Sequence, residues 1–328
     1  MTTKRLLFLL LALIILSLPL CSACSSQLGA KPIEKSEESV EEKKEEEKTT
    51  TEEKPLEDPA KDGTLNVLMI GNSFSTYFSD EILGLAKEKN LDIKLYNVYY
   101  SGCRVQQHWE WYMLNRSNYI LYEHISPEEK ITTNDVSLKE CLAQENWDII
   151  TLQQHFSPAE GDSYDTAMEF CGSYTKRLCD ILRGEFPMAT LMWHQTWAYE
   201  VGHDGGVSSD PDNKVLTVEK QTACYEAVAA VSKDVCEQNS LPRIPSGDAW
   251  QIARANPIVG DTLCQKTTGN DKYHDGDVGG GQYLNACVWF EVLTGESCIG
   301  NTWRPDYNLA EEKIPVLQRA AHEAVAAL

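Results

Sequence analysis

Four short apolar runs restrict the folds open to this chain more than any other feature of its sequence. They cover residues 65–70, 93–100, 147–152 and 189–193. Runs of this length and composition are typical of strands that are buried on both faces, as in a parallel sheet. Segments with apolar residues at helical spacing follow or separate these runs. The alternation predicts an α/β fold in three layers, with a mainly parallel central sheet and helices on both faces.

Four helical segments stand out by the spacing of their apolar residues and by the residues that begin or end them. A serine, Ser79, begins the first segment, and glycines follow the second and the fourth. The predicted helices cover residues 79–90, 170–182, 224–235 and 283–293.

The first 24 residues have the pattern of an export signal. Two basic residues precede an apolar stretch at residues 6–20, which is short for a membrane span. The small residues before Cys24 resemble a bacterial lipobox, although Cys21 stands where leucine is usual. We predict that residues 1–24 are a lipoprotein signal and that Cys24 is lipidated. The protein would then be held at the extracellular face of the bacterial membrane by its lipid anchor alone. Plain secretion with cleavage nearby is the alternative.

Residues 25–62 have the composition of a disordered tether. Residues 31–62 contain 13 acidic and 7 basic side chains and almost no large apolar one. Such a segment buries too little apolar surface to offset the entropy lost on ordering. Residues 63–328 remain for the predicted folded domain, in which 37 acidic and 20 basic residues give a net charge of −17. A field of that sign repels nucleic acid and anionic polymers, and favours neutral or cationic substrates.

The cysteines indicate neither a metal site nor a complete set of disulfides. Nine of the 11 cysteines fall in residues 63–328, and none of these nine forms a CxxC pair or a Cys/His ligand pattern. Cys171, Cys179, Cys224 and Cys287 lie on apolar helix faces, which predicts small buried side chains. One or two disulfides remain an open alternative for an exported protein.

Polar residues follow each predicted strand, at the edge of the sheet where ligands bind in such folds. Asn72 and Ser73 follow the first strand, and Gly102 follows the second. A serine hydroxyl is a weak nucleophile unless a base stands beside it and a third group orients that base. Asp271 and His274, three residues apart, supply such a pair. We predict Ser73 as nucleophile, His274 as general base and Asp271 as its orienting carboxylate.

A developing oxyanion needs hydrogen-bond donors, and the strand ends offer several. The backbone amides of Ser73 and Gly102 are two candidates. A side-chain amide from Gln153 or Gln154, after the third strand, is the other, with Gln154 the preferred choice. No metal or organic cofactor is required by this chemistry.

These motifs resemble the blocks of the SGNH/GDSL hydrolase superfamily of esterases and lipases. The stretch 71–74, Gly-Asn-Ser-Phe, is similar to the first block. Gly102 corresponds to the glycine of the second block, and the stretch 271–274 is similar to the final block, Asp-x-x-His. The chain is most similar to a bacterial branch that has a Gly-Asn-Ser-Phe first block and no assigned substrate. The resemblance implies a flavodoxin-like three-layer α/β/α sandwich. The usual Asn of the third block is missing, and Gln153-Gln154 stands in its place.

The expected substrate is a small-molecule or glycan ester, from which acetyl or short acyl groups are released. Trp197 and His194, which follow the fourth strand, are predicted to contact it. No nucleic acid and no obligate protein partner are expected. One alternative is a non-catalytic glycan-binding lipoprotein with a degenerate triad. Another is a flavin binder whose phosphate lies at the helix start after the first strand, in which Asp271 and His274 would have no role.

Overall fold

A mostly parallel sheet of seven strands is the centre of the molecule. The computed structural model describes residues 63–156, 163–203 and 216–328. The predicted signal and tether lie outside these residues. The strand order is β4-β3-β2-β1-β5-β6-β7. The strands are β1 (Thr64–Gly71), β2 (Asp92–Tyr99), β3 (Tyr119–Ser126), β4 (Glu129–Val136), β5 (Ile149–Gln153), β6 (Thr190–His194) and β7 (Arg243–Ile244), and a separate two-stranded ladder consists of β8 (Gln265–Lys266) and β9 (Gly269–Asn270).

Helices cover both faces of the sheet, which confirms the predicted three-layer α/β/α fold. One face packs on α1, α6, α7 and α8, and the other on α2, α3, α4 and α5. The helices are α1 (Ser79–Glu88), α2 (Val105–Leu114), α3 (Leu138–Leu142), α4 (Tyr164–Glu185), α5 (Val218–Asn239), α6 (Ser246–Ala255), α7 (Gly281–Thr294) and α8 (Ile314–Ala326).

The four predicted strands are β1, β2, β5 and β6, and together with β7 they form the parallel part of the sheet. Side chains of β1 alternate between the two layers: Val67 packs on one face and Leu68 on the other. Because both faces are covered, nearly every residue of β1 is buried. The apolar runs of the sequence are a direct consequence of this two-sided burial.

The hairpin of β3 and β4 was not predicted. It extends the sheet beyond β2 with two antiparallel pairings. Seven of the eight residues of β4 are exposed, and its sequence is mostly charged and polar. An edge strand of this kind avoids aggregation through its charges, and it therefore has no apolar pattern that sequence analysis can detect.

The predicted helices correspond to α1, α4, α5 and α7, but α4 and α5 each begin six residues earlier than predicted and end three and four residues later, respectively. Gly295 ends α7 with a φ of 71°, the left-handed conformation that glycine adopts without strain. The cysteines at 171, 179, 224 and 287 are buried, as predicted. Within the described ranges, no helix is both long enough and apolar enough to cross a membrane.

Candidate active site

The turn after β1 holds Ser73 in a defined position. Residues 73–75 form one turn of 3-10 helix, and the Oδ1 of Asn72 caps it by accepting from the N–H of Phe74 at 3.0 Å. The carbonyl of Asn72 accepts from the hydroxyls of Ser75 at 3.1 Å and Thr76 at 3.0 Å. Ser73 retains 8% exposure. The residue therefore lies at the carboxyl end of the central strand, β1, and is largely buried.

The Asn72 side chain joins three strand-end loops. Its Nδ2 donates to the carbonyl of Cys103 at 2.9 Å and contacts the Nδ1 of His155 at 3.0 Å. Since an amide nitrogen only donates, Nδ1 of His155 is the acceptor in that contact. An aspartate, the usual residue of the resembled block, could not donate either bond. Asn72 is thus a site residue whose importance sequence reasoning missed, because its partners lie 31 and 83 positions away.

Asp271 orients His274 as the sequence suggested. One carboxylate oxygen accepts from the Nδ1 of His274 at 2.9 Å, and the other accepts from the backbone N–H of His274 at 3.0 Å. The two bonds fix both the ring and the backbone of the histidine. With Nδ1 committed to the carboxylate, the opposite ring nitrogen, Nε2, is the one that can exchange a proton with a substrate or a nucleophile.

Lys266, on β8, is a second partner of Asp271. Its ammonium lies 2.8 Å from the carboxylate. Partial burial alone would raise the pKa of Asp271, but the hydrogen bonds from His274 and Lys266 outweigh it and hold the pKa below its ordinary value. The carboxylate is therefore ionised at neutral pH. The β8–β9 ladder brings Lys266 back to Asp271, and no local sequence pattern predicted this ion pair.

The loop of His274 and the turn of Ser73 meet in one site. The ring centroid of His274 lies 5.7 Å from that of Phe74 and 5.3 Å from that of Tyr77, which follow Ser73 by one and four positions in the chain. No hydrogen bond joins Ser73 and His274 among the described residues. Catalytic hydrogen bonds are often long in a site without substrate and shorten when one binds.

Gly102 lies on the loop that Asn72 holds through Cys103. It is exposed and has a φ of 64°, a conformation that strains any residue with a Cβ. Its backbone N–H donates to none of the residues for which coordinates are described. The position is compatible with its predicted role as an oxyanion donor.

Gln154 is near the site, but its amide already has partners. Its Oε1 accepts from the N–H of Val105, the first residue of α2, at 3.0 Å. Its Nε2 donates to the carbonyl of His155 at 3.1 Å. The side chain thus satisfies an N–H at the start of a helix that would otherwise lack a partner. The predicted oxyanion role would have to use the second hydrogen of Nε2.

Gln153 points to the other face of β5, beneath the turn. A Cβ on Gly71 would collide with the side chains of Gln153 and Ser75, so this glycine is required by the close approach. Gln153 is 1% exposed, and in the described portion of the chain its amide has no hydrogen-bond partner. It therefore contributes to the support under Ser73 rather than to a surface open to substrate.

Trp197 is buried in the core and presents no surface to a substrate, contrary to prediction. It is fully buried and stacks on Trp250 at 4.4 Å. Its indole N–H donates to the carbonyl of Tyr273 at 2.8 Å, and its ring lies 4.9 Å from Phe74. It therefore links the histidine loop to the serine turn from below. The sequence showed that Trp197 follows a strand, but burial by α6 depends on tertiary packing.

His194 is also buried rather than exposed to substrate, and this prediction is wrong for the same reason. Its ring packs 5.0 Å from that of Trp289, and its Nε2 lies 3.0 Å from the hydroxyl of Ser246. Burial lowers the pKa of His194 to about 3, so the side chain is neutral. It is a core residue and not a rival general base.

Comparisons with known proteins place the chain in a family. A family profile described as "Domain of unknown function (DUF4886)" matches residues 66–324. A DUF4886 family protein from Bacteroides uniformis shares 29% identity, with a TM-score of 0.68 over 80% of this chain and 95% of that one. This likeness supports the three-layer fold. The search of curated proteins found no match.

Two more distant structures have names that mention hydrolysis. One is described as an SGNH hydrolase from Slackia heliotrinireducens, with 17% identity and a TM-score of 0.44 over 70% of this chain and 98% of that one. The other is the acetyl xylan esterase AlAXEase, with 11% identity and a TM-score of 0.44 over 70% of this chain and 100% of that one. At this level of similarity, neither activity transfers to this chain.

Proposed function

The chain belongs to the DUF4886 family, and from this premise we propose that it is a serine hydrolase of carboxylic esters. Ser73 is the nucleophile, His274 the general base and Asp271 the residue that orients His274. The observation that carries the proposal is the position of His274. Its Nδ1 is fixed by Asp271 at 2.9 Å, while its ring lies against Phe74 and Tyr77 of the serine turn.

The reaction proceeds through an acyl-enzyme. Ser73 Oγ attacks the ester carbonyl carbon and gives its proton to Nε2 of His274, and the ionised Asp271 stabilises the imidazolium. The backbone amides of Ser73 and Gly102 donate to the oxyanion. The ester C–O bond then breaks, and the leaving alcohol takes the proton from His274. A water molecule loses a proton to His274 and attacks the acyl carbon. When the bond to Ser73 breaks, Oγ recovers the proton and the acid leaves.

The finer substrate proposal is a short acyl group, such as acetyl, carried by a neutral glycan. The small exposed fraction of Ser73, 8%, suits a small acyl group better than a long chain. The net charge of −17 over residues 63–328 disfavours anionic polymers. Lipid anchoring at Cys24 would present the enzyme at the extracellular face, where it meets glycans from outside the cell. The anchoring and the location remain proposals from the sequence.

The test compares Ser73→Ala with the parent on p-nitrophenyl acetate. We expect kcat/KM to fall by about 10³-fold or more, because the covalent step is lost. The matched control is Ser101→Ala, an exposed serine on the neighbouring loop, which should keep the parent's rate. Labelling by a fluorophosphonate, located by peptide mass spectrometry, should modify Ser73 and not Ser101. Equal rates for the parent and Ser73→Ala would refute the mechanism.

A non-catalytic glycan binder is the second candidate. It is favoured by the two hydrogen bonds that already occupy the Gln154 amide, which leave only one hydrogen of Nε2 for an oxyanion. In that case the fluorophosphonate would leave Ser73 unmodified, while oligosaccharides would still bind.

A further inference from the structure

Three tyrosines form a strip that begins at the active site and runs along one face of the sheet. We call Tyr77, Tyr99 and Tyr122 the tyrosine strip. Tyr77 follows the serine turn, Tyr99 ends β2, and Tyr122 lies on β3. The rings of Tyr99 and Tyr122 are 5.8 Å apart between centroids.

The strip is continuous with the proposed catalytic residues. The Tyr77 ring meets that of His274 edge-on, with 5.3 Å between centroids. Burial raises the pKa of Tyr77 to about 12, and the proximity of Tyr99 and Asp271 contributes to the rise.

Tyr99 pairs with Gly71 at the carboxyl end of β1. Asn97, two residues earlier on the same face of β2, donates to the carbonyl of Ser75 in the serine turn. Tyr99 therefore lies at the same end of the sheet as Tyr77.

Each tyrosine of the strip keeps part of its surface accessible. Tyr77 is 40% exposed, and Tyr99 and Tyr122 are partly exposed. Trp193, Trp197 and Trp289, by contrast, are at most 1% exposed. Large aromatic side chains that remain accessible next to a catalytic group are typical of a ligand-binding surface.

The β3–β4 hairpin is what makes the strip longer than a single pair of rings. In the β2–β3 ladder, Tyr122 pairs with Asn97 and Ile120 pairs with Tyr99. Tyr99 and Tyr122 are thus diagonal neighbours on one face, within reach of each other. Ile131 of β4 pairs with Glu123, so it lies on the opposite face of the same hairpin.

The charges around the strip select a neutral ligand. The acidic domain repels anions. Lys266 lies over the Tyr77 ring at 5.2 Å, and Lys130 over the Tyr122 ring at 5.3 Å. Each ammonium group lies on one side of one ring and would repel a cationic ligand, whereas no ammonium or guanidinium group lies over the Tyr99 ring among the described residues. A pyranose ring fits the remaining chemistry, since it has an apolar C–H face for a tyrosine ring and hydroxyls for the phenol groups.

We propose that the tyrosine strip binds a neutral oligosaccharide whose acylated unit reaches Ser73. The orientation of the sugar chain rests on the proposed ester hydrolysis, but binding to the strip does not need the nucleophile. Sugar units on either side of the acylated one would lie along Tyr99 and Tyr122. The hairpin would then set which glycan is used, and the parallel part of the sheet would carry the reaction.

The experiment separates binding from hydrolysis by using the full chain with Ser73→Ala. Isothermal titration measures binding of neutral xylotetraose, cellotetraose and mannotetraose. Tetragalacturonate serves as the anionic ligand and a chitosan tetramer as the cationic one. Each ligand is titrated into the Ser73→Ala protein and into three double variants, which add Tyr99→Ala, Tyr122→Ala or the control substitution Ile131→Ala to Ser73→Ala. Thermal melts verify that every variant is folded, and Tyr122→Phe tests stacking without the hydroxyl.

We expect at least one neutral tetrasaccharide to bind. Tyr99→Ala or Tyr122→Ala should raise its Kd about tenfold, because each variant loses roughly one stacking contact. Ile131→Ala should stay within about twofold of the parent. Failure of every neutral ligand to bind, stronger binding of a charged one, or equal Kd values for the tyrosine variants and Ile131→Ala would overturn the proposal. If binding depends on the strip but Ser73 never reacts with esters or fluorophosphonate, the reaction is wrong and the binding site stands.

Discussion

The parallel part of the sheet and the β3–β4 hairpin are built differently. In β1, seven of eight residues are buried, whereas in β4 seven of eight are exposed. The parallel strands are covered by helices on both faces, and their carboxyl ends carry Ser73 and the loops that surround it. The hairpin buries little and contributes Tyr122 to a surface beside the site. The comparison suggests that stability and reaction chemistry reside in one region, and ligand selection in the other.

The largest expected effect belongs to the catalytic loops of the parallel region. Asp271→Asn should lower kcat on p-nitrophenyl acetate by about 10³- to 10⁴-fold, because the amide no longer fixes the His274 tautomer or stabilises its charged form. Ile131→Ala in the hairpin should change kcat by less than about twofold. A rate for Asp271→Asn close to the parent's would remove the distinction between the two regions in catalysis.

The parallel region and the hairpin should also differ in how much their side chains contribute to the free energy of unfolding. Leu68 is fully buried in the central strand, and Leu68→Ala should lower the free energy of unfolding by about 2–5 kcal/mol. Ile131 is 44% exposed, so Ile131→Ala should cost less than about 0.5 kcal/mol. Urea unfolding followed by circular dichroism measures both. Similar losses for the two variants would mean that the hairpin is part of the main cooperative core.

Asp275, a buried acid next to the histidine loop, gives a pH-dependent test of how completely the helix-covered region is buried. Asp275 is fully buried, and burial raises its pKa to about 7 despite a hydrogen bond from Asn285. Between about pH 4 and pH 7 the folded protein keeps a proton that the unfolded chain has lost. This group therefore makes the protein less stable as the pH rises through that window.

Asp275→Asn should remove this loss of stability with rising pH. Relative to the parent, the variant should gain on the order of 3 kcal/mol in unfolding free energy between pH 4 and pH 7. Thermal and urea unfolding at several pH values measure the difference. Parallel stability curves for the two proteins would show that Asp275 is already ionised when folded, and that burial in this layer is less complete than the structure indicates.

The parts of the fold that could be predicted are those with a local cause. The apolar runs of β1, β2, β5 and β6 reflect burial on both faces, and the helical stripes reflect one buried side. The hairpin has no such signal, because β4 is polar and exposed. The short strand β7 has only two residues, which is too few for any periodic pattern.

The site residues also fall into two groups, those that the local sequence predicts and those that depend on tertiary packing. The pairing of Asp271 with His274 was predictable, because a separation of three residues lets a carboxylate reach the imidazole within one turn of chain. Trp197 and His194 were expected at the surface because they follow a strand, yet helices cover both. Asn72, a neighbour of the serine, proved to be the residue that joins three loops.

By itself the sequence determined the α/β architecture, the polar strand ends and the local acid–histidine pair, since each depends on residues that are close in the chain. Tertiary structure decided that His274 meets a turn about two hundred positions earlier, that Trp197 lies beneath both, and that three tyrosines from separate elements share one face. Periodicity reports which residues are buried. The identity of the neighbours across a cleft is set by how whole elements pack, and no local pattern records that.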